Sequence, residues 1–328
     1  MVLIISEKED ITTDRVIDWL CHIGVKGIVR INDGEPIFIE KISLSSYANP
    51  IIALSIKDVA FTLDDIKFFW YRRGAINFEI NNQYFFDNNL FNNYLTKFLV
   101  QEWRRCKDYI ISKLEEKPKL GDYFKANTNK IQNLEKAQSV GFKIPETFIS
   151  QYKKSLSSYA SEMADYITKP ISSCFKCSDD NYELFSGVNA INSNTIDFAD
   201  CYSSPQLLQQ RIEKWIEIRV FVFFDKLFPM AIFSQNNEQT RVDYRTHDFN
   251  NVPRSVPFKL PCSIEERVLA FMRSINLTTG SVDLILTPER EYVFLEVNPA
   301  GVIDMVATPC NYHIEKEIAL AIKRLINE

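Results

Sequence analysis

Three oxygen-bearing side chains lie close together near the end of the sequence. Asp283 lies in one strand-like run, and Glu296 and Asn298 lie in the next, within Phe294-Leu-Glu-Val-Asn-Pro299. Because alternate residues of a strand face the same side, Glu296 and Asn298 share one face, and a turn at Pro288–Arg290 can bring Asp283 beside them. Mg²⁺ prefers carboxylate and other oxygen ligands. The pattern therefore predicts a magnesium site, with a hairpin whose polar face is solvated as the alternative.

A second candidate is the segment Ile212-Glu-Lys-Trp-Ile-Glu217, with Arg219 just beyond it. The backbone of such an extended linker can pair with the edge of an adenine ring, while Trp215 and Ile216 add apolar contact. Glu217 can accept hydrogen bonds from ribose hydroxyls. An ordinary amphipathic strand also explains this segment, and taken alone the segment favours that interpretation.

Two lysines precede these segments at positions where elements begin or end. Lys169 ends the short strand-like run Tyr166–Lys169 before Pro170, and Lys130 opens a predicted helix at Asn129–Val140. A lysine is usually solvated, so each residue alone indicates little. Their order along the chain, two lysines followed by the linker and then the three oxygen ligands, makes phosphate binding the stronger hypothesis.

Composition narrows the class of protein. The 328 residues carry a net charge of -5, and the pI is about 5.5, which argues against general nucleic-acid binding. No apolar run reaches the length of a membrane span. The seven cysteines form no paired framework, and Cys174-Phe-Lys-Cys177 lacks two further zinc ligands. We therefore expect reduced thiols and a cytoplasmic location.

The elements around these residues predict a mixed α/β (α+β) chain in three parts. Residues 1–118 read as a small α/β domain that ends in a long helix, residues 119–205 as a central lobe, and residues 206–328 as a C-terminal lobe with the metal site. In the last part, four strand-like runs predict an antiparallel sheet. Helices at Ser263–Ser274 and Tyr312–Asn327 are expected to cover this sheet, whereas Ile171–Asn194 reads as irregular.

The order and spacing of these motifs resemble the ATP-grasp superfamily over roughly residues 120–328. This resemblance implies the ATP-grasp fold, with ATP held between the central and C-terminal lobes and two Mg²⁺ ions beside it. It assigns roles to ten residues: the phosphates to Lys130 and Lys169, the adenine to Glu213, Lys214, Trp215 and Ile216, the ribose to Glu217, and the metals to Asp283, Glu296 and Asn298.

A closer resemblance covers nearly the whole chain. It rests on Phe69-Trp-Tyr-Arg-Arg73, Asn129–Ala137, Glu217-Ile-Arg219, Phe233-Ser-Gln235, Asp243-Tyr-Arg245 and Gly280-Ser-Val-Asp283. These segments look like the graspetide maturases, nearest to the grasp-with-spasm group. The resemblance implies a ligase that joins Asp or Glu side chains of a ribosomal precursor peptide, with leader and core, to Ser, Thr or Lys side chains. It also implies that a homodimer is possible.

Two departures from the superfamily affect the predicted site. The phosphate-covering loop is usually glycine-rich, but Ile171–Leu184 contains no glycine, so no residues are assigned to that role. An arginine often precedes the first metal acid by two residues, and Ser281 stands there. Stabilisation of the oxyanion is therefore expected from Arg219 and Arg245, whose guanidinium groups suit carboxylates and phosphates.

Three alternatives remain at this stage. A small-molecule carboxylate–amine ligase of the same fold would use the same ATP site, but the resemblance in residues 1–115 and at Asp243-Tyr-Arg245 disfavours it. An enzyme that adds glutamates to a protein would share the chemistry. A non-catalytic binding module is disfavoured because all three metal positions are present.

Overall fold

A computed structural model describes residues 1–57, 59–77, 89–126, 128–161, 165–172, 175–178, 182–191, 204–236 and 253–327. The chain divides into two compact units. The first comprises Met1–Ala126 together with His313–Glu328, and the second comprises Asn127–Tyr312. The division of the sequence at residues 118 and 205 stays a prediction.

A parallel sheet forms the centre of the first unit. Its strands lie in the order β2-β1-β6-β7 and comprise β1 (Val2–Ser6), β2 (Ile28–Asn32), β6 (Phe68–Tyr71) and β7 (Lys119–Leu120). Strand β1 is apolar throughout, apart from its last residue, because it is buried on both faces, as the centre of a parallel sheet requires. Helix α1 (Ile11–His22) connects β1 to β2, which makes a β-α-β unit.

The rest of the first unit packs around this sheet. Strands β3 (Phe38–Ser45), β4 (Ala48–Ile56) and β5 (Val59–Thr62) form an antiparallel sheet, and helix α2 (Asn89–Glu115) follows. The final helix α7 (Ile314–Asn327) packs against α1. The prediction that this helix covers the C-terminal sheet is therefore wrong, although the helix itself was predicted correctly.

The second unit contains two larger sheets and a short hairpin. The first sheet has the order β12-β9-β13-β8 and is antiparallel throughout. Its strands are β8 (Thr147–Ser150), β9 (Tyr166–Thr168), β12 (Asn189–Ile191) and β13 (Gln206–Gln210). The hairpin pairs β10 (Phe175–Ser178) with β11 (Glu183–Ser186), so the expectation of irregular structure over Ile171–Asn194 is wrong for these residues. Helices α3 (Lys130–Ser139) and α4 (Lys153–Ser161) belong to the same half of the unit.

The predicted antiparallel sheet is the second sheet of this unit. It has the order β16-β15-β14-β17-β18 and comprises β14 (Ile216–Phe223), β15 (Lys226–Phe233), β16 (Arg254–Pro257), β17 (Thr279–Leu286) and β18 (Tyr292–Asn298). One face is apolar and packs against α3 and α5 (Cys262–Ser274). The other face bears the polar residues of the candidate site, and a short helix α6 (Ile303–Cys310) contacts β14, β15 and β16.

Candidate nucleotide and metal site

A row of four charged side chains crosses the polar face of the C-terminal sheet. Arg219 on β14 lies opposite Asp283 on β17, which lies opposite Glu296 on β18. The Nε and Nη2 atoms of Arg219 donate to the two carboxylate oxygens of Asp283, each at 2.7 Å. Beyond β18, the Nζ of Lys130 lies 3.9 Å from Glu296 Oε2. Two carboxylates are thus held side by side between two cations.

A β-bulge explains how β18 contributes to both the core and the site. The pairing shifts between Asp283 and Leu284, so that Leu284 faces Phe294 while Asp283 faces Glu296. The extra residue, Leu295, is accommodated by the bulge. Phe294 is therefore fully buried in the core, whereas Leu295 and Glu296 both line a cleft. Without the bulge, Phe294 and Glu296 would face the same side.

The donor set suits a hard divalent cation. Asp283 and Glu296 both line the cleft and supply carboxylate oxygens, which Mg²⁺ prefers together with phosphate oxygens of a bound substrate. Asn298 lies opposite Ser281 at the end of β18, and its Oδ1 accepts a hydrogen bond from the Gly301 N–H at 3.2 Å. Within the part of the chain that is described, no three His, Cys, Asp or Glu residues cluster as a metal site. The predicted set fits because it combines two carboxylates with an amide.

Arg219 has a defined partner in this site. Its side chain is buried, its fork holds Asp283, and its Nη1 donates to the thioether sulfur of Met305 at 3.1 Å. Charge-assisted pairs with two parallel bonds are the stronger and more geometrically specific kind. The guanidinium therefore orients a predicted metal ligand, and its predicted contact with a substrate carboxylate stays a prediction. Arg245, the other predicted clamp, lies outside the described residues.

Glu217 lies at the start of β14 and is almost fully buried. Its Oε1 accepts hydrogen bonds from Lys214 Nζ at 3.0 Å and from Ser234 Oγ at 2.6 Å. Burial raises the pKa of Glu217 above its ordinary value, and Lys214 and Ser234 oppose this effect only in part. The residue thus lines the cleft as a buried acid that is held by two donors.

The cleft lies within the second unit. Strands of both sheets of this unit and the segment between β13 and β14 form its walls. Its apolar lining consists of Ile167, Val188, Ile212, Ile285 and Leu295, and its polar lining consists of Lys169, Gln209, Gln210, Arg211, Lys214, Glu217, Asp283 and Glu296. Apolar walls with a few converging polar groups are typical of small-ligand sites.

The linker presents only part of its predicted set to this cleft. Lys214 lines the cleft, whereas Glu213 and Trp215 are exposed and do not line it. The Arg290 guanidinium lies 3.5 Å from the centre of the Trp215 ring, and the backbone N–H of Trp215 donates to the Leu286 carbonyl at 2.9 Å. Ile216 is buried in the core. The side chains of Glu213, Trp215 and Ile216 therefore anchor or flank the linker, and their contact with adenine stays a prediction.

The two predicted phosphate lysines lie near each other. Lys169 follows β9 and lines the cleft. Lys130 begins α3, whose N-terminus is capped by Asn129 through hydrogen bonds from two backbone N–H groups. The Lys130 Nζ donates to the Pro170 carbonyl at 3.3 Å, so its ammonium reaches the end of the segment that contains Lys169.

Sequence reasoning missed several residues that line the cleft. Gln209 and Arg211 directly precede the linker, and a buried strand that ends in two glutamines was the available signal. The Gln209 Nε2 donates to Thr147 Oγ1 at 2.8 Å across the neighbouring strand. Leu295 gave no signal, because its position depends on the bulge.

Comparison with solved structures identifies the fold. The chain is similar to a RiPP-associated ATP-grasp ligase from Chryseobacterium gregarium, solved with ADP and a leader and core peptide (24% identity, 97% of this chain and 95% of that chain, TM-score 0.79). It is also similar to the macrocyclase MdnC from Microcystis aeruginosa, bound with precursor peptide MdnA (23% identity, 100% of both chains, TM-score 0.77). A third similar structure is the ATP-grasp ligase PsnB with minimal precursor, Mg and ADP (14% identity, 100% of this chain and 98% of that chain, TM-score 0.69).

No family model and no curated protein sequence matches the chain. The likeness to solved structures nevertheless extends over almost its full length, through both units. The chain has the ATP-grasp fold, and the fold class predicted from the sequence is confirmed.

Proposed function

We propose that this protein is an ADP-forming ATP-grasp ligase that cyclises a ribosomally made precursor peptide. The observation that supports this most directly is the charged row Arg219–Asp283–Glu296–Lys130 beside a cleft with apolar walls. Solved ligases of this fold contain ADP and precursor peptide. The reaction would activate Asp or Glu side chains of the peptide and join them to Ser, Thr or Lys side chains as ω-esters or ω-amides.

ATP would lie in the cleft with its base toward the linker and its phosphates toward the charged row. The carboxylate of Glu217 would accept hydrogen bonds from the ribose hydroxyls. Lys169 and Lys130 would direct their ammonium groups to the polyphosphate, whose charge they offset. Phosphoryl transfer depends mainly on such positioning and charge stabilisation.

Asp283, Glu296 and Asn298 would hold two Mg²⁺ ions. When bound, these ions would offset negative charge on the transferred phosphoryl group. Arg219 would keep the Asp283 carboxylate in one orientation through its two hydrogen bonds. The solved ligase PsnB was determined with Mg and ADP, which supports the same use here.

The chemistry would proceed in two steps. A peptide carboxylate oxygen would attack the γ-phosphorus of ATP, the bond to the β-phosphate oxygen would break, and ADP would leave an acyl phosphate on the peptide. A hydroxyl or amine held nearby would then attack the acyl carbon, lose its proton and release phosphate. Proximity of the two peptide groups supplies much of the second step. Arg219 and Arg245 would stabilise negative charge on the acyl group.

Two other kinds of ATP-grasp ligase are alternatives to a peptide cyclase. A small-molecule carboxylate–amine ligase or an enzyme that adds glutamates to a protein would use the same ATP and metal residues. Peptide-bound ligases match the chain with TM-scores of 0.79 and 0.77, above the 0.59 of a D-alanyl-alanine synthetase from Vibrio cholerae, which favours a peptide. We accordingly expect the leader and core of the peptide to be the partner.

We also propose a homodimer and a cytoplasmic location. Helix α2 exposes Phe91, Tyr94 and Phe98 along one stripe in its first three turns, which a second copy would cover; the molar mass in solution tests this. Five cysteines among the described residues are free thiols, as the cytoplasm would keep them. Among the described helices, none is long and apolar enough to cross a membrane.

The product of one incubation distinguishes these possibilities. With ATP, Mg²⁺ and the cognate precursor, each link should lower the mass of the peptide by one water and release ADP and phosphate. Release of AMP would mean a different activation chemistry. A product that gains the mass of a free amino acid would favour the glutamate-adding enzyme. ATP turnover that no candidate peptide stimulates would favour the small-molecule ligase.

A further inference from the structure

The side chain of Gln209 is a fully buried amide in the wall of the cleft. Strand β13 lies between β8 and β9, and Gln209 pairs with Thr147 on one side and with Ile167 on the other. Its exposed fraction is 0%, yet it lines the cleft. None of the roles assigned above uses it.

A chain of hydrogen bonds fixes which end of this amide is which. The Thr147 hydroxyl donates its only hydrogen to the Pro145 carbonyl at 2.9 Å. Towards Gln209 the hydroxyl therefore acts as an acceptor, and it receives Nε2–H at 2.8 Å. The reversed amide would set two acceptors against each other. The orientation thus follows from the network rather than from an arbitrary assignment of nitrogen and oxygen.

The carbonyl oxygen of the same amide is an acceptor without a described donor. Gln209 Oε1 is buried and accepts no hydrogen bond from any residue in the described ranges. Buried polar atoms in native proteins nearly always have a partner, and a missing partner requires an explanation. A ligand that brings an N–H group into the cleft would satisfy this oxygen.

The surroundings of Gln209 restrict the kind of ligand. Ile167, Ile285 and Leu295 give the cleft apolar walls suited to a flat ring. The linker begins three residues after Gln209, so this part of the cleft is where the base would lie under the function proposed above. Glu217, already held by Lys214 and Ser234, is the separate acceptor assigned to the ribose.

We propose that Gln209 Oε1 accepts a hydrogen bond from the 6-amino group of adenine and so makes the site specific for 6-aminopurine nucleotides. This inference rests on the proposed ATP site. A 6-oxo base such as guanine or hypoxanthine would place a second acceptor against Oε1. Recognition of a donor by a buried acceptor discriminates strongly, because the analogue leaves the acceptor unpaired.

Direct binding in the presence of Mg²⁺ tests this without any peptide. Isothermal titration would compare ADP with purine riboside 5′-diphosphate, in which hydrogen replaces the 6-amino group, and with inosine 5′-diphosphate. For the wild-type protein we expect ADP to bind at least about tenfold more tightly than either analogue, the usual cost of an unpaired buried acceptor. In Gln209→Met, which keeps the length but lacks the acceptor, ADP and the purine riboside analogue should bind about equally.

Two further variants separate recognition from general damage. Gln206→Met changes the same residue type on the same strand outside the cleft, and the ratio of the two affinities should stay at its wild-type value. Thr147→Val removes the hydroxyl that fixes the amide, so the ratio should fall part of the way toward one. General damage would weaken ADP and its analogue alike and leave their ratio unchanged.

The outcomes are distinct from those that test the ligase itself. Equal wild-type affinity for ADP and the purine riboside analogue would overturn the role of Gln209 and leave the nucleotide site standing. A wild-type ratio that persists in Gln209→Met would do the same. If the wild-type protein bound none of the three nucleotides, the proposed function would fall, and the inference with it.

Discussion

Two buried arginine–aspartate pairs, one in each unit, differ in what surrounds them. In the first unit, Arg72 Nε lies 3.2 Å from Asp10 Oδ2, and their side chains are 1% and 5% exposed. In the second unit, Arg219 and Asp283 are 4% and 11% exposed. Burial is therefore nearly the same for both pairs and does not distinguish them.

The hydrogen bonds around each aspartate do distinguish them. Asp10 Oδ2 accepts from Thr13 Oγ1 at 2.6 Å and from Ser6 Oγ at 3.1 Å, which ties α1 to the end of β1. Asp283 instead lines a cleft and lies opposite a second carboxylate, Glu296. A fold gains nothing from two adjacent carboxylates unless a cation joins them. We therefore expect the first pair to stabilise the fold and the second pair to hold a carboxylate in place for a ligand.

The largest expected effect is on catalysis, and it comes from removing the charge of the second carboxylate in the site. Glu296→Gln replaces an anionic ligand with a neutral one, so peptide-dependent turnover should fall on the order of a thousandfold, because metal stabilisation amounts to several kcal/mol. Folding should change little, since the Glu296 side chain is at the cleft and its 3.9 Å contact with Lys130 is a long one. ADP release and urea denaturation measure the two effects.

Glu291→Gln is the matched control for this substitution. Glu291 lies in the turn before β18 and pairs with Lys143 at the surface. The turnover of the Glu291→Gln enzyme should equal that of the wild-type protein. A Glu296→Gln enzyme with wild-type turnover at ordinary Mg²⁺ would remove Glu296 from the metal site.

The next effect concerns the stability of the first unit. Asp10→Ala removes the carboxylate that faces the buried Arg72 charge, and losing one partner of a buried ion pair typically costs about 3–5 kcal/mol of unfolding free energy. Urea denaturation measures this loss. Asp14 is an exposed partner of Arg30, so Asp14→Ala is the control and should change the unfolding free energy little. A loss at Asp10 no greater than at Asp14 would contradict the structural role of the buried pair.

A smaller effect is expected from Arg219→Lys. The charge remains, but an ammonium cannot form both parallel bonds to Asp283. Turnover should therefore fall about tenfold to a hundredfold, the equivalent of one or two charge-assisted hydrogen bonds. A lysine enzyme with the wild-type rate would mean that the orientation of Asp283 does not matter for catalysis.

The sequence predicted the strands that hold the site because their patterns are local. Alternation predicts that Glu296 and Asn298 share one face, and the turn at Pro288–Arg290 brings Asp283 beside them. The structure pairs Asp283 with Glu296 across β17 and β18. The motif Phe69–Arg73, noticed only as part of a resemblance, has a physical basis in the structure. Phe69 and Trp70 are core residues, and Arg72 is the partner of Asp10.

Features that depend on distant parts of the chain were not predictable in the same way. The stripe of α7 predicts an amphipathic helix but not which sheet or helix receives it, and it packs against α1 rather than on the C-terminal sheet. The bulge at Leu295 and the hydrogen bond from Gln209 to Thr147 require the register between strands. Hairpin β10–β11 has few local signals, because each of its strands has only four residues.

The smallest expected effect is a difference between two buried acids, Asp10 and Glu217, in how their contributions to stability depend on pH. Burial raises the pKa of Asp10, but Arg72 and the Thr13 hydroxyl together lower it by a larger amount. The folded-state pKa of Asp10 therefore lies below the ordinary value. In Glu217, burial raises the pKa above the ordinary value despite Lys214 and Ser234. The stability due to Asp10 is therefore present above about pH 4 and is lost as the pH falls through its lowered pKa. The contribution of Glu217 is fully present below about pH 4 and is lost as the pH rises through its raised pKa.

Neutral isosteres turn this contrast into a measurement. The difference in unfolding free energy between wild type and Asp10→Asn should shrink as the pH falls from 6 to about 3, whereas that between wild type and Glu217→Gln should grow as the pH falls from 7 to about 4. Each change should be on the order of 1 kcal/mol. Urea denaturation at several pH values measures both differences against the same wild-type curve. If both differences changed with pH in the same direction, the distinction between the two acids would be contradicted. That distinction is that the fold stabilises Asp10 as an anion, whereas it holds Glu217 for a ligand at a cost in stability.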